Sequence, residues 1–503
     1  MNRLKRWLAV CLLCLLTASA AAPAAAAASD TGFRDVPAGH WAASEIRRAV
    51  DAGLVQGVSA AEFGLGRPMT RAAFAVVLCR FFGWEMQTPS QGSFADNRNP
   101  AAWYYSAVET ACANGAVVRK AENFRPDDPI TREEMAVMLV RALGYTALAG
   151  LDQGLECPFS DVTTNQGYLT MAYYLGISRG AGDGTFAPDR TATREQAVVM
   201  LMRVYDRVHA GAPERIGLTT FSEQVTDFRD CSVVAVGGPR LTAVGDSLSS
   251  LPAAETAAAV REAVRSSGAK VLLGVTGSQT GLQAKPAVIA RTIAEAAAEY
   301  DGVLLDVSRL PENKQKAHTA LVEALRKELD GKLLYVVAEA PESGGTRYGY
   351  DYAALSALAD RLILRTGRYE TETGGFPTMS QEPLEEVYYA LAALSGTADL
   401  SRCSLWLTTT GLGRERLRGA VSYFPADRLE PLLADPLTQQ YYSVRYADAY
   451  LHRDDGNTQT VVWYHDSRAA EARACLGAFF GVESVCFSEV GEASGELLEG
   501  LEG

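Results

Sequence analysis

Residues 127–134 read Asp-Asp-Pro-Ile-Thr-Arg-Glu-Glu, and this stretch has the chemistry of a helix start. Pro129 ends the preceding segment, because a proline cannot continue a helix or a sheet ladder. Thr131 is a natural N-cap, and Glu134 stands where a side chain completes a capping box. Apolar residues follow at helical spacing, beginning at Met135. The stretch therefore predicts an amphipathic helix that buries one face.

The same helix start occurs at three places in the chain, which makes the region a repeat. Its arginines are 61 and 62 residues apart (132 − 71 and 194 − 132). Each repeat opens on a Phe-x-Asp triplet and has an aromatic residue eight positions before its arginine. The recurring residues are Phe33, Phe94 and Phe159 at the openings, Phe63, Phe124 and Phe186 before the helix, and Arg71, Arg132 and Arg194 at its start. One helix pair cannot bury its apolar face alone, so the three pairs are expected to pack together.

Residues 33–205 resemble a triplet of S-layer homology domains. The resemblance rests on an Asp-Val pair followed by tryptophan on a first helix, and on the Thr-Arg-Glu-Glu type of start on a second. The three repeats span 33–83, 94–145 and 159–205. The resemblance implies an all-α bundle with pseudo-threefold symmetry. It also implies grooves between the repeats that bind secondary cell-wall polysaccharide, often bearing an acidic pyruvyl ketal, or peptidoglycan itself.

The resemblance carries over residue by residue to a set of expected glycan contacts. A guanidinium at a helix N-terminus combines forked donors with the positive end of the helix dipole, which suits a carboxylate. A tryptophan offers its face to a sugar ring, and a loop glycine lets the backbone approach the sugar. The expected glycan-binding residues are Arg71, Arg132, Arg194, Trp41, Trp103, Gly57 and Gly180. The alternative is that the arginines and tryptophans only cap helices and fill the core.

Each repeat departs from the pattern at one position. Repeat 1 reads Thr-Arg-Ala-Ala at residues 70–73 and lacks the acidic pair. Repeat 2 has Arg119 where the loop glycine is expected, and repeat 3 has Thr164 in the place of the tryptophan. These departures favour binding at one or two grooves.

The N-terminus predicts export. A basic start at residues 3–6 precedes a short apolar run and an alanine-rich stretch, which together mark residues 1–28 as a signal peptide. The alternative is a transmembrane anchor, but the run is too short to span about 30 Å of hydrocarbon comfortably. No later segment is long and apolar enough to cross a membrane, so no membrane association is expected after cleavage.

Composition excludes several other functions. The formal net charge is −13 and no basic cluster follows the first few residues, so nucleic acid is not an expected partner. Seven cysteines remain after cleavage, an odd number at irregular spacings and without a Cys-x-x-Cys motif. Buried free thiols are the expected reading, and neither a metal nor another cofactor is expected.

Beyond a predicted linker at 206–213, residues 214–503 alternate short apolar strands with amphipathic helices. This alternation predicts a parallel α/β fold, most economically a (β/α)8 TIM-like barrel. The whole chain is thus expected to be multidomain, with the helical bundle followed by the barrel. The predicted strands are 232–238, 270–277, 302–307, 332–340, 361–366, 404–410 and 484–490.

Residues 300–308, Tyr-Asp-Gly-Val-Leu-Leu-Asp-Val-Ser, resemble the signature strand of family 18 glycoside hydrolases. Residues 268–275, 350–352 and 462–467 resemble further elements of that family, in particular of its spore-cortex branch. The resemblance implies that Asp306 would orient the substrate N-acetyl group and that Asp301 would support it.

The same resemblance shows a missing acid. Family 18 enzymes need a glutamate at the end of the signature to protonate the leaving oxygen, and Ser308 stands there. Thr366 and Gly367 replace an expected tyrosine, and Ser488, beside Phe487, replaces an expected tryptophan. A relocated acid is the alternative, because Glu339 ends a predicted strand on the catalytic face of a barrel, with Glu342 close behind.

These expectations combine into one leading function and two alternatives. The leading function is a cell-surface protein, anchored non-covalently to wall polysaccharide, that displays a degenerate glycosidase-like barrel able to bind glycan. The first alternative is an active wall hydrolase that uses Glu339 as its acid and cuts peptidoglycan or chitin-like chains. The second is a structural S-layer component with other S-layer proteins as neighbours.

Overall fold

A computed structural model describes residues 32–502 except 120–121, 151–156, 210, 224, 226, 243–245, 344–347, 367–379 and 416–420. The predicted signal peptide lies outside the described residues. The N-terminal part of the described chain is helical. Its helices are α1 (Ala43–Asp51), α2 (Arg71–Phe81), α3 (Tyr105–Ala113), α4 (Arg132–Ala142), α5 (Thr146–Ala149), α6 (Gln166–Tyr174) and α7 (Arg194–Val208).

A closed triangle of backbone hydrogen bonds joins the three repeats just before their second helices. Met69 N donates to Ala192 O at 2.9 Å, Ala192 N donates to Ile130 O at 2.9 Å, and Ile130 N donates to Met69 O at 2.8 Å. Met69, Ile130 and Ala192 are buried, so each bond satisfies a group that has no access to water. The triangle gives the helical part the cyclic, pseudo-threefold arrangement that the resemblance to S-layer homology domains implies.

The predicted helix starts are observed. Thr131 accepts a hydrogen bond from the Glu134 N–H at 3.1 Å, and the Glu134 side chain accepts from the Thr131 N–H at 3.0 Å, which completes the capping box. In repeat 1, Thr70 accepts from the Ala73 N–H at 3.2 Å. Helix α7 continues through Val208, so three residues of the predicted linker are helical. At the end of this helix the Tyr205 and His209 rings are stacked, with their centroids 4.2 Å apart.

Within the described residues, eight parallel strands close into a barrel in the order β1-β2-β4-β5-β6-β7-β8-β14, with β14 paired back to β1. The fold class predicted from the sequence is confirmed. A short strand, β3 (Leu248–Ser249), adds to β2 in antiparallel fashion. The barrel strands are β1 (Glu214–Thr220), β2 (Val233–Leu241), β4 (Lys270–Gly277), β5 (Gly302–Val307), β6 (Leu333–Glu339), β7 (Arg361–Arg365), β8 (Cys403–Leu407) and β14 (Ser484–Phe487).

Helices surround the barrel because alternate strand residues point outward and are apolar. The connecting helices are α8 (Ala254–Ser266), α9 (Pro286–Ala296), α10 (Gln315–Glu328), α11 (Tyr352–Leu358) and α12 (Leu384–Leu394). The inward residues form a separate buried cluster, so the barrel is a packed core and not a pore. This inner cluster consists of Ile216, Val233, Ala235, Leu272, Leu304, Tyr335, Val337, Ile363, Trp406 and Cys486.

An antiparallel sheet is inserted between β8 and β14, and the sequence did not predict it. Its strands are β9 (Gly411–Arg414), β10 (Ser422–Phe424), β11 (Thr438–Ser443), β12 (Asp448–Asp454) and β13 (Gln459–Tyr464), in the order β10-β9-β13-β12-β11. Helix α13 (Ala426–Ala434) packs on one face around the buried Phe424 and Leu451. The first barrel strand, β1, was also missed, because only Ile216 and Leu218 carry large apolar side chains in it.

The helical part packs directly on the barrel through α14 (Ser467–Phe479). This helix contacts α7 and also the barrel strands β8 and β14. The buried rings of Tyr145 and Phe479 meet edge-on with centroids 6.1 Å apart. A last helix, α15 (Gly495–Glu499), packs on α14. No helix in the described ranges is long and apolar enough to cross a membrane.

Candidate functional site

The aspartate of each Phe-x-Asp triplet holds the loop that carries the aromatic residue of its repeat. Asp35 accepts from the N–H groups of Phe63 and Gly64, both at 2.7 Å. Asp161 accepts from Phe186 N at 2.7 Å and from Ala187 N at 2.8 Å. The Phe186 N–H, opposed by burial, keeps the pKa of Asp161 below its usual value. Asp96 holds the loop of repeat 2 in the same way.

Each repeat arginine reaches across to the aromatic loop of the following repeat, so three equivalent contacts between repeats are found among the described residues. The guanidinium lies over the aromatic ring, and its Nε–H donates to the carbonyl of the same residue. The Nε–O distances are 2.8 Å for Arg71 on Phe124, 2.9 Å for Arg132 on Phe186 and 3.0 Å for Arg194 on Phe63. The centroid distances are 4.9, 5.1 and 5.0 Å in the same order. The predicted grooves lie at these three contacts, and we name them by their arginines: the first groove (Arg71), the second groove (Arg132) and the third groove (Arg194).

The remaining guanidinium donors differ among the grooves. Arg71 Nη1 lies 2.6 Å from Glu134 Oε1. Arg132 and Arg194 form no ion pair with a carboxylate in the described part of the chain. Burial, with Arg190 and Arg203 nearby, lowers the pKa of Arg132. Burial, with Arg67 nearby, lowers the pKa of Arg194.

The predicted stacking residues are exposed. Trp41 is 59% exposed and Trp103 is 65% exposed, and each precedes the first helix of its repeat by two residues. Thr164 takes this position in repeat 3, and its hydroxyl donates to Glu133 Oε1 at 2.8 Å. The position therefore lies beside the second-helix start of the preceding repeat. By this equivalence Trp103 belongs to the first groove and Trp41 to the third groove.

The two predicted loop glycines are required by the protein's own packing. A Cβ on Gly57 would lie 2.5 Å from both the Phe33 ring and the Ser59 carbonyl oxygen. Gly180 has a φ of +79°, and a Cβ there would lie 2.4 Å from the Thr185 carbonyl oxygen. Both positions exclude a side chain without any ligand present. That they also admit a sugar stays a prediction.

The barrel mouth is the second candidate site, at the carboxyl ends of the parallel strands. Arg365 ends β7 and forms ion pairs with Asp306 Oδ2 at 2.5 Å and Glu339 Oε1 at 3.2 Å. Its guanidinium lies 4.3 Å from the centroid of the Trp406 ring. Burial lowers the pKa of Arg365, but Asp306 and Glu339 outweigh it, so the pKa is raised overall. One cation thus joins the retained aspartate, the candidate acid and an aromatic ring.

Glu339 is enclosed by donors. Besides the Arg365 ion pair, its Oε2 accepts from the Tyr350 hydroxyl and from the Arg309 N–H at 3.0 Å. The residue is only 6% exposed. Burial and Glu339 together raise the pKa of the Tyr350 hydroxyl. Glu342 accepts from the Tyr348 hydroxyl at 2.7 Å.

The structure does not bring Asp301 to this mouth. Asp301 directly precedes β5 and accepts from the Val271 N–H at 2.8 Å, so it holds the opposite end of the sheet. Its Cα is about 16 Å along the strand from that of Asp306, at the usual rise per residue. A direct contact between Asp301 and Asp306 is excluded by this separation, and the supporting role implied for Asp301 stays a prediction. Ser308 follows β5 and is half-buried.

The remaining positions of the sequence resemblance do not carry the expected tyrosine and tryptophan. Thr366 is buried, and Gly367 lies outside the described residues. The Ser488 hydroxyl accepts from the Thr409 N–H at 3.0 Å, and Phe487 is fully buried.

A buried ionic network near the end of β8 was not predicted. His465 Nδ1 lies 2.8 Å from Asp448, and its Nε2 lies 3.1 Å from Glu382. Burial lowers the pKa of His465, but Asp448 outweighs it and the pKa is raised. The Thr408 hydroxyl donates to Glu382, so the network links the inserted sheet to the barrel. The sequence held a signal for this network, because His465 is one of only five histidines in the chain and lies in the stretch 462–467 that the sequence analysis singled out.

The cysteines of the described residues are free thiols. Cys79, Cys231, Cys403 and Cys486 are buried. Burial raises the pKa of Cys79 and of Cys403 to about 12. No group of three or more His, Cys, Asp or Glu side chains in the described ranges is arranged to hold a metal ion.

Sequence comparison identifies the repeats. The family model for the S-layer homology domain matches residues 32–75, 94–136 and 158–198. An S-layer protein of Bacillus licheniformis is 31% identical over 221 residues, which are 43% of this chain and 24% of that protein. An endoglucanase of Bacillus sp. (strain KSM-635) is 33% identical over 179 residues, 34% of this chain and 18% of that protein. The chain thus spans about a fifth of the length of these relatives.

Solved structures are similar to the barrel. A chitinase from Chromobacterium violaceum aligns with a TM-score of 0.48 and 15% identity, over 58% of this chain and 98% of that one. The spore cortex-lytic enzyme SleL of Bacillus cereus aligns with a TM-score of 0.49 and 13% identity, over 57% and 73%. The helical repeats and the closed barrel confirm the predicted architecture, and the family match with the S-layer relatives indicates the predicted cell-surface location. The chain is an exported, cell-wall-anchored protein that carries three S-layer homology domains followed by a (β/α)8 barrel.

Proposed function

We propose that the chain holds itself to wall polysaccharide through its grooves and displays a barrel that does not hydrolyse glycan. The observation that carries the anchoring is that Arg132 and Arg194 line grooves without a carboxylate partner among the described residues. An arginine that stacks on a ring and keeps free donors is suited to bidentate binding of an acidic group. A pyruvyl ketal on a wall sugar supplies such a group.

The exposed tryptophans support a carbohydrate ligand. An exposed tryptophan presents an apolar ring face on which a sugar ring can stack, and its N–H is free to face a polar partner. Trp41 lies at the third groove, where Arg194 has free donors, so a sugar ring and an acidic substituent could be bound side by side. The S-layer proteins among the relatives support the presence of S-layer neighbours around the anchored chain.

Binding to isolated cell walls tests the anchoring. The full chain is mixed with purified walls, and with walls stripped of their secondary polysaccharide by hydrofluoric acid. We expect sedimentation with intact walls and its loss with stripped walls. The Arg132→Ala/Arg194→Ala double variant is expected to remain in the supernatant, whereas Arg428→Ala, a change on the surface of the inserted sheet, should sediment normally. Equal binding to both kinds of wall contradicts the polysaccharide model.

No available acid is found in the part of the barrel that the structure describes. Ser308 occupies the position of the leaving-group acid, and a hydroxyl is far too weak an acid for that step. Glu339 could replace it only by leaving Arg365, Tyr350 and the Arg309 N–H. Arg365 also covers the Trp406 face on which a sugar could otherwise stack. We propose that the mouth at most binds glycan and that the barrel acts as a display module.

An active hydrolase is the second candidate, because Glu339 lies at the catalytic end of the barrel and shares Arg365 with Asp306. An assay for reducing sugar released from peptidoglycan and from chitin distinguishes the active hydrolase from the inactive barrel. The inactive barrel predicts no release above that of a Glu339→Gln variant. Release by the wild-type chain that is lost in Glu339→Gln would establish the hydrolase instead. If no reducing sugar is released, the barrel acts as a display module, and this includes a role as a spacer in an S-layer.

A further inference from the structure

A short connection joins the helical part to the barrel. The five residues 209–213 separate the end of helix α7 from the start of strand β1. At the barrel end of this connection, the Glu214 N–H donates to the Glu483 carbonyl oxygen at 2.9 Å. At the helical end, the His209 ring meets the Phe81 ring of helix α2 edge-on, with the centroids 5.3 Å apart. The connection is therefore fixed by contacts at both of its ends.

Buried aromatic rings hold the two parts together beside this connection. Tyr145 of the helical part is 1% exposed, and it meets Phe479 of the barrel, which is 3% exposed. Tyr388 of helix α12 is also 1% exposed and packs against Phe480, with the centroids 6.0 Å apart. Burial, and to a smaller extent the Tyr174 hydroxyl of helix α6, raises the pKa of Tyr388, so the end of α6 lies close to α12. Separation of the two parts would expose these rings to water, which is unfavourable.

The barrel and the grooves lie at opposite ends of the second helices. Helix α5 follows α4 and packs on α12, and helix α7 packs on α14 and leads into the connection 209–213. The grooves lie at the other ends of the same helices, because α4 begins at Arg132 and α7 begins at Arg194. Helix α7 has 15 residues and is about 22 Å long at 1.5 Å per residue. This length separates the third groove from the start of the barrel.

We infer that the helical part and the barrel form one rigid unit, in which the barrel is held at the end of the second helices that is remote from the grooves. Domains of one chain move relative to each other unless the interface between them is large and apolar. The buried rings supply the apolar interface here, so residues 209–213 do not act as a flexible tether. A chain anchored through its grooves then carries its barrel on the side away from the anchoring polymer, and this last step rests on the proposed function.

Small-angle X-ray scattering of the full chain tests the rigid coupling. A short Gly/Ser insertion after the exposed Gly211 lengthens the connection at little cost in free energy. Because packing and not the tether holds the two parts, we expect the wild type and the insertion variant to have the same radius of gyration. Tyr145→Asp places a charge among the buried rings, and in the insertion background it should increase the radius of gyration. Tyr441→Asp, on the exposed edge of the inserted sheet, is the matched control and should not.

Scanning calorimetry gives a second readout on the same proteins. We expect the wild type and the insertion variant to unfold in one transition, and Tyr145→Asp with the insertion to unfold in two. Tyr388→Asp disrupts the contact from the barrel side, and it serves if Tyr145→Asp distorts the helical part. An insertion that by itself increases the radius of gyration or splits the transition overturns the inference, because the connection would then be what holds the two parts.

Labelling of the wall-bound chain tests the position of the barrel. Lys285 directly precedes α9, and Lys316 lies in the first turn of α10, so both exposed lysines mark the mouth end of the barrel. Both should react with a water-soluble biotin ester at the same rate in wall-bound and in free chain, as measured by peptide mass spectrometry. Protection of both lysines on the wall overturns the remote position. A chain that keeps one radius of gyration after the insertion but binds no walls contradicts the proposed function and supports the rigid unit.

Discussion

The guanidinium of Arg365 lies 4.3 Å from the centre of the Trp406 ring while it bridges Asp306 and Glu339. These groups come from four neighbouring strands, β5 to β8, so they define the middle of the barrel mouth. A cation here neutralises charge that a hydrolase would use, and it fills space over the aromatic face. The mouth is therefore stabilised in a closed arrangement by the protein's own side chains.

Removal of this cation should destabilise the barrel. Arg365→Met would leave two mostly buried carboxylates without their shared cation, and breaking a buried pair in this way costs about 3–5 kcal/mol. Urea unfolding followed by tryptophan fluorescence should show this loss. Arg428→Met, which removes an exposed ion pair with Glu415, should cost less than about 1 kcal/mol. A similar small cost for both variants would show that the Arg365 bridge is not what holds the mouth.

The two tryptophans should contribute unequally to wall binding. Trp41 adjoins the third groove, where Arg194 forms no ion pair within the described ranges, and Trp103 adjoins the first groove, where Arg71 is paired with Glu134. Loss of one aromatic stacking contact of about 1 kcal/mol weakens binding about fivefold. Trp41→Ala is thus expected to lower the affinity for isolated walls by about that factor, and Trp103→Ala to leave it nearly unchanged. An equal loss in both variants would contradict the assignment of the grooves.

The free energy of unfolding should fall as the pH rises, because His465 loses its proton. Burial lowers the pKa of His465, but Asp448 raises it further, so the protonated ring is stabilised in the folded state. This contribution is fully present below the ordinary histidine pKa of about 6.5 and is lost as the pH rises through the higher folded-state pKa. The free energy of unfolding, measured from pH 6 upward, should decline in the wild type. His465→Gln should be less stable at pH 6 and lack this decline.

His318 predicts the opposite pH dependence at lower pH. Its ring is fully buried, neither nitrogen has a partner among the described residues, and burial lowers its pKa to about 4. The neutral ring is favoured on folding, so this contribution is complete above the ordinary pKa of about 6.5 and is lost as the pH falls towards 4. His318→Leu should therefore lose less stability than the wild type between pH 6.5 and pH 4. Parallel curves for the two proteins would contradict this origin of the acid sensitivity.

Thr131 offers a test of the helix starts. Its hydroxyl oxygen accepts a hydrogen bond from the Glu134 N–H, and removal of an N-cap of this kind costs about 1 kcal/mol. Thr131→Ala should lower the free energy of unfolding of the helical part by about that amount, and Thr131→Ser should retain most of it. Thermal unfolding followed by circular dichroism at 222 nm measures both, and equal stability of Ala and Ser would show that the cap is not needed.

Local patterns predicted much of the fold. The period of the arginines, the Thr131–Glu134 capping box and the strands 270–277 and 302–307 all follow from residues close together in the chain, and the last two strands are observed with the predicted bounds. Strand β1 and the inserted sheet were missed. Their apolar runs are short, and they are stabilised by pairing with strands that are distant in sequence.

The sequence by itself determined three helical repeats with an arginine at each second-helix start, a barrel of alternating strands and helices, and the absence of a glutamate at Ser308. Helix caps and apolar periodicity are local and can be read without the fold. Only the tertiary structure decided that Arg71 meets Glu134, that Arg194 forms no ion pair with an acid in the described ranges, and that Arg365 holds Glu339. Charge pairing acts over a few ångströms in space, and the cyclic packing of the repeats and the closure of the barrel set those distances.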